Sequence, residues 1–111
     1  MLEAGKIMTH EVITIGPDAS VLEAIRLLKE HKVTGLPVVD HEQRLCGMIT
    51  EKDVLRLLLD DELSPKHVRD YMSRKVHSFK ETDLVSKITE FLSKKNIRRV
   101  PIVDDQNRLV G

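Results

Sequence analysis

The feature that most limits what this chain can fold into is a duplication. Displaced by 64 residues, the chain aligns with itself without a gap. "GLPVVDHEQRLCG" at 35–47 falls on "RVPIVDDQNRLVG" at 99–111, and six of these thirteen positions match: Pro37 with Pro101, Val39 with Val103, Asp40 with Asp104, Arg44 with Arg108, Leu45 with Leu109 and Gly47 with Gly111. The same offset sets Met8 on Met72, Val12 on Val76, Val21 on Val85 and Leu28 on Leu92. A half of about 50 residues buries too little surface to stand alone, so the two copies are expected to share one core.

Each half reads as strand, helix, strand, strand, with a further helix in the first half, an α/β (α+β) pattern. "VITI" (12–15) is a short strand stopped by the turn formers Gly16-Pro17-Asp18. Ser20, with Glu23 three residues on, predicts a capping box opening a helix whose inward stripe is Val21, Ile25 and Leu28. That helix should end near His31-Lys32, where cations suit the dipole. "LPVVD" and "RLCGMIT" are strands joined by a polar turn at Asp40–Gln43. The helix "EKDVLRLLLDD", opened by Thr50, is expected to bury Val54, Leu55, Leu57 and Leu58. Ser64-Pro65 interrupts the pattern, so 61–67 reads as a linker between a first repeat at 1–60 and a second at 68–111. The second copy repeats the plan with "VHSF" (76–79), a helix from about Asp83 with Val85, Ile88 and Leu92 inward, and "VPIVD". Its last strand has only begun at Arg108, so the copy is expected to be incomplete, lacking the last strand and helix and leaving Val100, Ile102 and Leu109 partly uncovered.

Several classes of function lack support. The 18 basic and 18 acidic residues balance, so no net field favours a nucleic acid or an anionic membrane. In "SKKNIRR" (93–99), Lys94 and Lys95 fall in the last turn of a helix, where they complement its dipole. The three aromatic residues, Tyr71, Phe79 and Phe91, make no base-stacking platform. The one cysteine, Cys46, cannot form an internal disulfide, which suits a reducing compartment and predicts a cytoplasmic protein. No window approaches the roughly 18 apolar residues of a membrane span, so no membrane association is expected. His10-Glu11 and His41-Glu42 begin a zincin-like pattern, but Thr14 and Leu45 stand where the second histidine is required. No nucleophile elbow, glycine-rich phosphate loop or C-x-x-C is present, so no catalytic residue and no metal site is expected.

The chemistry gathers at Gly47-Met48-Ile49-Thr50-Glu51-Lys52-Asp53. A strand ending at Thr50 and a helix starting at Glu51 would put free backbone N–H groups beside the positive end of a dipole, a place for an anion or a polar ligand edge. The Asp53 carboxylate, one turn in, can accept two hydrogen bonds and so matches paired hydroxyls. Thr50-x-x-Asp53 is equally a plain capping box, and the two roles are compatible. Met48 reads either as an adaptable pocket wall or as core filler.

The run "KIMTHEVITIGPDASVLEAIRLLKEHKVTGLPVVDHEQRLCGMITEKDVL" and the incomplete copy "YMSRKVHSFKETDLVSKITEFLSKKNIRRVPIVDDQNRLVG" resemble the tandem cystathionine-β-synthase (CBS) domain pair, also called a Bateman module. The resemblance implies two β-α-β-β-α repeats packed by their sheets about a pseudo-two-fold axis, with two clefts that take adenine nucleotides or related adenosyl ligands. AMP, ADP, ATP, S-adenosylmethionine and NAD-type ligands are the candidates, and no required cofactor is implied. By resemblance, Asp53 holds the ribose, and Ile97, Arg98 and Arg99, ahead of Val100-Pro101, line the same cleft. Two guanidiniums there can clamp phosphate oxygens; they can also be a solvated strand edge that discourages aggregation. His77, aligned with Ile13, would lie on the strand that walls the adenine. The second cleft would use Ile13, Val33 and Thr34, with Thr34-Gly35 in place of Arg98-Arg99 making the two sites unequal. The implied role is a non-enzymatic regulatory module that forms a homodimer through its helices. The alternative is a structural dimerisation module with no physiological ligand.

Overall fold

Ser20 sits in extended backbone and its Oγ accepts a hydrogen bond from Glu23 N (3.1 Å), which opens α1 (Val21–His31). The computed structural model describes residues 1–60 and 66–111, so most of the expected linker at 61–67 lies outside the described residues. Val21, Ala24 and Leu28 are the buried positions of α1, spaced as one helical face, while Ile25 packs half-buried beside them. The capping box expected here is only half made. The Glu23 carboxylate turns to Arg26 (2.6 Å) instead of reaching back to Ser20, because a guanidinium one turn along is a charged donor and the Ser20 amide a neutral one. The helix closes on Lys32 in the left-handed region (φ 54°), whose N–H meets the carbonyls of Leu28 and Lys29.

β1 (Gly35–Val39) and β2 (Leu45–Thr50) pair antiparallel, with Leu36 opposite Ile49, Pro37 opposite Met48 and Val38 opposite Gly47. The turn between them explains part of the repeated phrase. Asp40 Oδ1 accepts from the backbone N–H groups of Glu42 and Arg44, both at 2.9 Å, and Oδ2 accepts from Arg44 Nε at 3.1 Å. Asp104 does the same with Gln106, Arg108 and Arg108 Nε. Gln43 and Asn107 take the positive φ that each turn needs (65° and 64°). The backbone amide of Arg44 or Arg108, more than any other group, draws each carboxyl below its ordinary range. The matched Asp and Arg therefore serve loop geometry.

The two strands expected ahead of the helices shrink to single residues. Ile15 bridges Val38, and Phe79 bridges Ile102, both parallel. After Ile15 the ladder stops at Gly16-Pro17, since proline has no N–H to give. α2 (Glu51–Leu57) is shorter than expected. Leu55 (58% exposed) and Leu58 (75% exposed) do not face inward; only Val54 and Leu57 pack against the core. α4 (Val85–Lys95) starts two residues beyond Asp83, whose carboxylate accepts from Lys80 N (2.7 Å), and Ile88 is its buried residue. Ile102, expected to be partly uncovered, is buried at 4% exposure.

Two short elements were not anticipated: a 3-10 turn at Ala4–Lys6 and α3 (Val68–Tyr71). They stand 64 residues apart, and they explain how the chain partitions. Its compact units are Ile13–Val76 and, formed from two segments, Met1–Val12 with His77–Gly111. In the larger unit, Val68 N donates to Ala19 O and Arg69 N to Pro17 O, both at 2.9 Å, while Val21 N donates to Lys66 O at 3.0 Å. In the smaller unit, Ala4 N donates to Asp83 O, Gly5 N to Glu81 O and Val85 N to Leu2 O, each at 2.9 Å. These are the same three bonds displaced by 64 residues. The leader that opens each repeat is thus folded onto the body of the other repeat, and the compact units cut across the repeats of the sequence.

Each leader also fills a core. Val68, Tyr71 and Met72 join Leu36, Val38 and Ile49 in the larger unit, and Ala4 joins Ile88 and Ile102 in the smaller. Beyond α3, Ser73 exchanges both backbone hydrogen bonds with Met48 (3.0 and 2.8 Å), so the leader lines the outer side of β2. Glycine is required at the crossing: a Cβ on Gly47 would stand 2.7 Å from Met72 Sδ and 2.8 Å from Ser73 O. The Cys46 thiol beside it donates to Val38 O (3.2 Å) and is pushed up, chiefly by burial and then by the charge of Asp40, which keeps it protonated and unreactive.

Candidate functional site

In the larger unit the strand-to-helix corner is closed by a complete capping box. Asp53 Oδ2 accepts from Thr50 N (2.9 Å) and Thr50 Oγ1 (3.1 Å), and Asp53 N donates to Thr50 Oγ1 (3.4 Å). Glu51 N is taken by Thr34 O at 2.9 Å. The expected free amides for an anion are therefore largely occupied by the chain's own oxygens, a correction to the sequence reading. What remains is the second carboxylate oxygen. Asp53 Oδ1 faces Arg56 Nη2 at 3.9 Å, outside hydrogen-bond range, and the side chain retains 14% exposure. That oxygen is an acceptor fixed in direction by the cap, suited to donors such as hydroxyls.

Met48 and Thr50 alternate onto one face of β2, and Gly35 lies directly across from Thr50. A Cβ on Gly35 would come within 3.2 Å of Thr50 Cγ2 and 3.8 Å of Met48 Cε, so glycine keeps this face open. Thr34 is exposed, whereas Ile13 and Val33 are half-buried and pack against the core. The fold thus brings Thr34, Met48, Thr50 and Asp53 together, with Ile13 and Val33 behind them as packing.

The smaller unit carries the other expected residues. His77 is exposed, its ring 4.8 Å from that of Phe91, which in turn meets Phe79 edge-on at 5.3 Å. Ile97 (43% exposed), Arg98 and Arg99 follow the left-handed cap of α4 at Asn96. Four arginines are held by carboxylates: Arg26 by Glu23 and Glu30, Arg44 by Asp40 and Glu42, Arg69 by Asp18, and Arg108 by Asp104, while Arg56 stands 3.9 Å from Asp53. Among the described residues Arg74, Arg98 and Arg99 have no such partner, and Arg74 donates to Arg69 O (3.3 Å). Guanidiniums on two neighbouring residues, left without a counter-charge, suit a phosphate.

A connection that sequence reasoning missed runs from Asp53 to α3. Arg56 Nη2 donates to Tyr71 O (2.8 Å), its guanidinium carbon lies 5.7 Å from the centre of the Tyr71 ring, and the Tyr71 hydroxyl donates to Asp60 Oδ2 (2.6 Å). The Asp53-x-x-Arg56 spacing is the one sequence signal that pointed to it. Among the described residues no group of three or more His, Cys, Asp or Glu could hold a metal ion, and no helix is long and apolar enough to cross a membrane.

Known proteins place this arrangement. An inosine-5'-monophosphate dehydrogenase of Methanocaldococcus jannaschii is 38% identical over 109 residues, which cover 98% of this chain but 21% of that enzyme; the chain spans about a fifth of that relative. Among solved structures, CBSX2 from Arabidopsis thaliana, in complex with AMP, superposes with a TM-score of 0.91 at 30% identity, covering 100% of this chain and 88% of that one. The CBS domain pair of protein MJ0100, in complex with 5'-methylthioadenosine and S-adenosyl-L-methionine, superposes with a TM-score of 0.85 at 33% identity, covering 98% and 86%. The model of the CBS domain matches twice, at residues 4–60 and 68–111. With the duplicated plan, the Thr50–Asp53 corner and those two matches in hand, the chain belongs to the CBS domain family, as a tandem pair of CBS domains.

Proposed function

We propose that this pair is a regulatory module, with no catalytic step of its own, that binds an adenine nucleotide and works in the cytoplasm. The observation that carries the reading is Asp53: one oxygen is spent on the cap, and the other lies 3.9 Å from Arg56 Nη2, beyond hydrogen-bond range. A carboxylate in that state suits the adjacent hydroxyls of a ribose. The unpaired Arg98 and Arg99 suit a phosphate, so AMP, ADP and ATP rank ahead of S-adenosylmethionine and NAD-type ligands. Met48 and His77 would flank the base, with Ile97 beside the arginines. Ile13, Val33 and Thr34 would form the unequal second site. The complexes of CBSX2 with AMP and of MJ0100 with two adenosyl compounds support this choice of ligand class.

Calorimetry with AMP and adenosine tests the reading. Asp53→Ala removes charge-assisted hydrogen bonds worth roughly 1.5–3 kcal/mol and should weaken both ligands tenfold or more, on the order of 1.4 kcal/mol per decade. Arg99→Ala should weaken AMP much more than adenosine, and added salt should act in the same sense. Equal AMP affinity in Asp53→Ala and the parent would overturn the ribose role. A lower melting temperature with unchanged affinity would leave Asp53 as a helix cap alone.

A second reading, a dimerisation module with no ligand, draws on one observation. Leu55, Leu58 and Leu59 stand 58%, 75% and 85% exposed at and beyond the end of α2, an apolar group of the kind a partner surface covers. A homodimer formed there is compatible with both readings. Light scattering should give twice the chain mass, and Leu55→Glu with Leu58→Glu should halve it; a monomeric parent protein would remove the dimer from both.

A further inference from the structure

Arg56 stands between two groups that compete for it. Its Nη2 donates to Tyr71 O at 2.8 Å, and the same nitrogen lies 3.9 Å from Asp53 Oδ1. Tyr71 is the last residue of α3, Met72 N donates back to Val68 O at 2.9 Å, and Ser73 pairs both ways with Met48. From Ser73 the chain runs to Val76 and there passes into the other compact unit. The carboxylate that would receive a ribose is thus linked, through one side chain, to the carbonyl that ends α3.

We infer that Arg56 is a coupling residue, which reports occupancy of Asp53 to the segment where the chain leaves the larger unit. The inference rests on the nucleotide reading above. While Asp53 Oδ1 is unliganded, its charge draws the guanidinium toward it and shares the cation with Tyr71 O. A hydroxyl donating to Oδ1 takes up that lone pair and weakens the pull. Arg56 then commits to the Tyr71 carbonyl, and the end of α3 and the Met48–Ser73 pairing tighten. Occupancy is converted into local order without a new contact between ligand and α3. The guanidinium is suited to this because it offers several N–H groups in a fixed fork, whereas a lysine is a single point charge.

Amide hydrogen exchange on the whole chain, with and without saturating AMP, tests the inference. Ligand binding to the folded state slows exchange throughout, so the quantity read is protection at Met72 and Ser73 relative to that in α1. In the parent protein AMP should raise this relative protection about fivefold or more, the lower end of ordinary coupling between sites. In Arg56→Ala and Arg56→Lys, each saturated with AMP, the relative rise should vanish. A merely structural Arg56 would lower protection equally with and without AMP, and that outcome overturns the inference. So does a parent protein that binds AMP with no relative rise, or an Arg56→Ala variant that keeps it. Failure of the parent protein to bind AMP would overturn the nucleotide reading itself, and this inference with it.

Discussion

Deleting Met1–Val12 should abolish native protection in residues 77–111 while residues 13–76 keep theirs. The first twelve residues open the first repeat, so the order of the sequence suggests that the first repeat would suffer. The contacts say otherwise. Ala4, 4% exposed, shares its cluster with Ile88 and Ile102, and the leader exchanges hydrogen bonds with Glu81, Asp83 and Val85. Three backbone bonds at about 1 kcal/mol each, with the apolar contacts of Ala4 and Met8, would be lost from a body of 35 residues. Chains below about 40 residues rarely hold a core unaided. Residue-resolved hydrogen exchange is the measurement, and loss of protection concentrated in 13–60 would refute the exchange of leaders.

Gly47→Ala should lower the melting temperature by about 10 °C, whereas Gly16→Ala should change it by only a few degrees. A Cβ at Gly47 would press within 2.8 Å of Ser73 O, a backbone atom that moves only if the leader lifts from β2. Overpacking of this kind costs about 1–3 kcal/mol, and in a domain of this size 1 kcal/mol corresponds to roughly 4–8 °C. At Gly16 nothing lies within 4 Å of the added carbon and φ is not positive, so the gain from a stiffer unfolded chain, about 0.4–1 kcal/mol, sets the scale. Thermal melts of both variants are the comparison, and equal midpoints would show that β2 and residues 72–73 do not pack as described.

The duplication made the elements legible because its matches are local. The helix stripes at Val21 and Leu28, the turns at Asp40 and Asp104 and the cap at Thr50 each depend on neighbours within four residues, and sequence spacing reports such neighbours directly. The destination of the leaders was hidden, although Met8 on Met72 was visible in the alignment. That match shows that the two leaders are alike; alike leaders can fold onto their own bodies or exchange them with identical local signals. The sequence makes α2 look longer for a related reason: Val54, Leu55, Leu57 and Leu58 look like a buried face, but the helix ends at Leu57, and Leu55 and Leu58 stand exposed. At the site, the residues at Thr50 and Asp53 stood out, yet the occupancy of the corner by Thr34 O and the link from Arg56 to Tyr71 O join residues 15 or more apart and leave little trace in composition or period.

Exchanged leaders impose an order of events during synthesis. The larger unit holds everything it needs once residue 76 has left the ribosome, so its hairpin, α1 and α3 can close while the rest is still being made. Residues 1–12 are made before residues 13–76 but used after them, since their partners lie at 77–111. Residues 1–12 must wait while 13–76 are made, with Leu2 and Ile7 unburied, and once folded these remain 52% and 61% exposed. Joining Ala4 to Asp83 closes a longer loop than joining Ala19 to Val68, yet the entropic difference is only about 0.4 kcal/mol because the cost grows with the logarithm of length. The delay is therefore one of timing, with little thermodynamic weight. A chain rearranged so that residues 1–12 follow residue 111 would need no such wait.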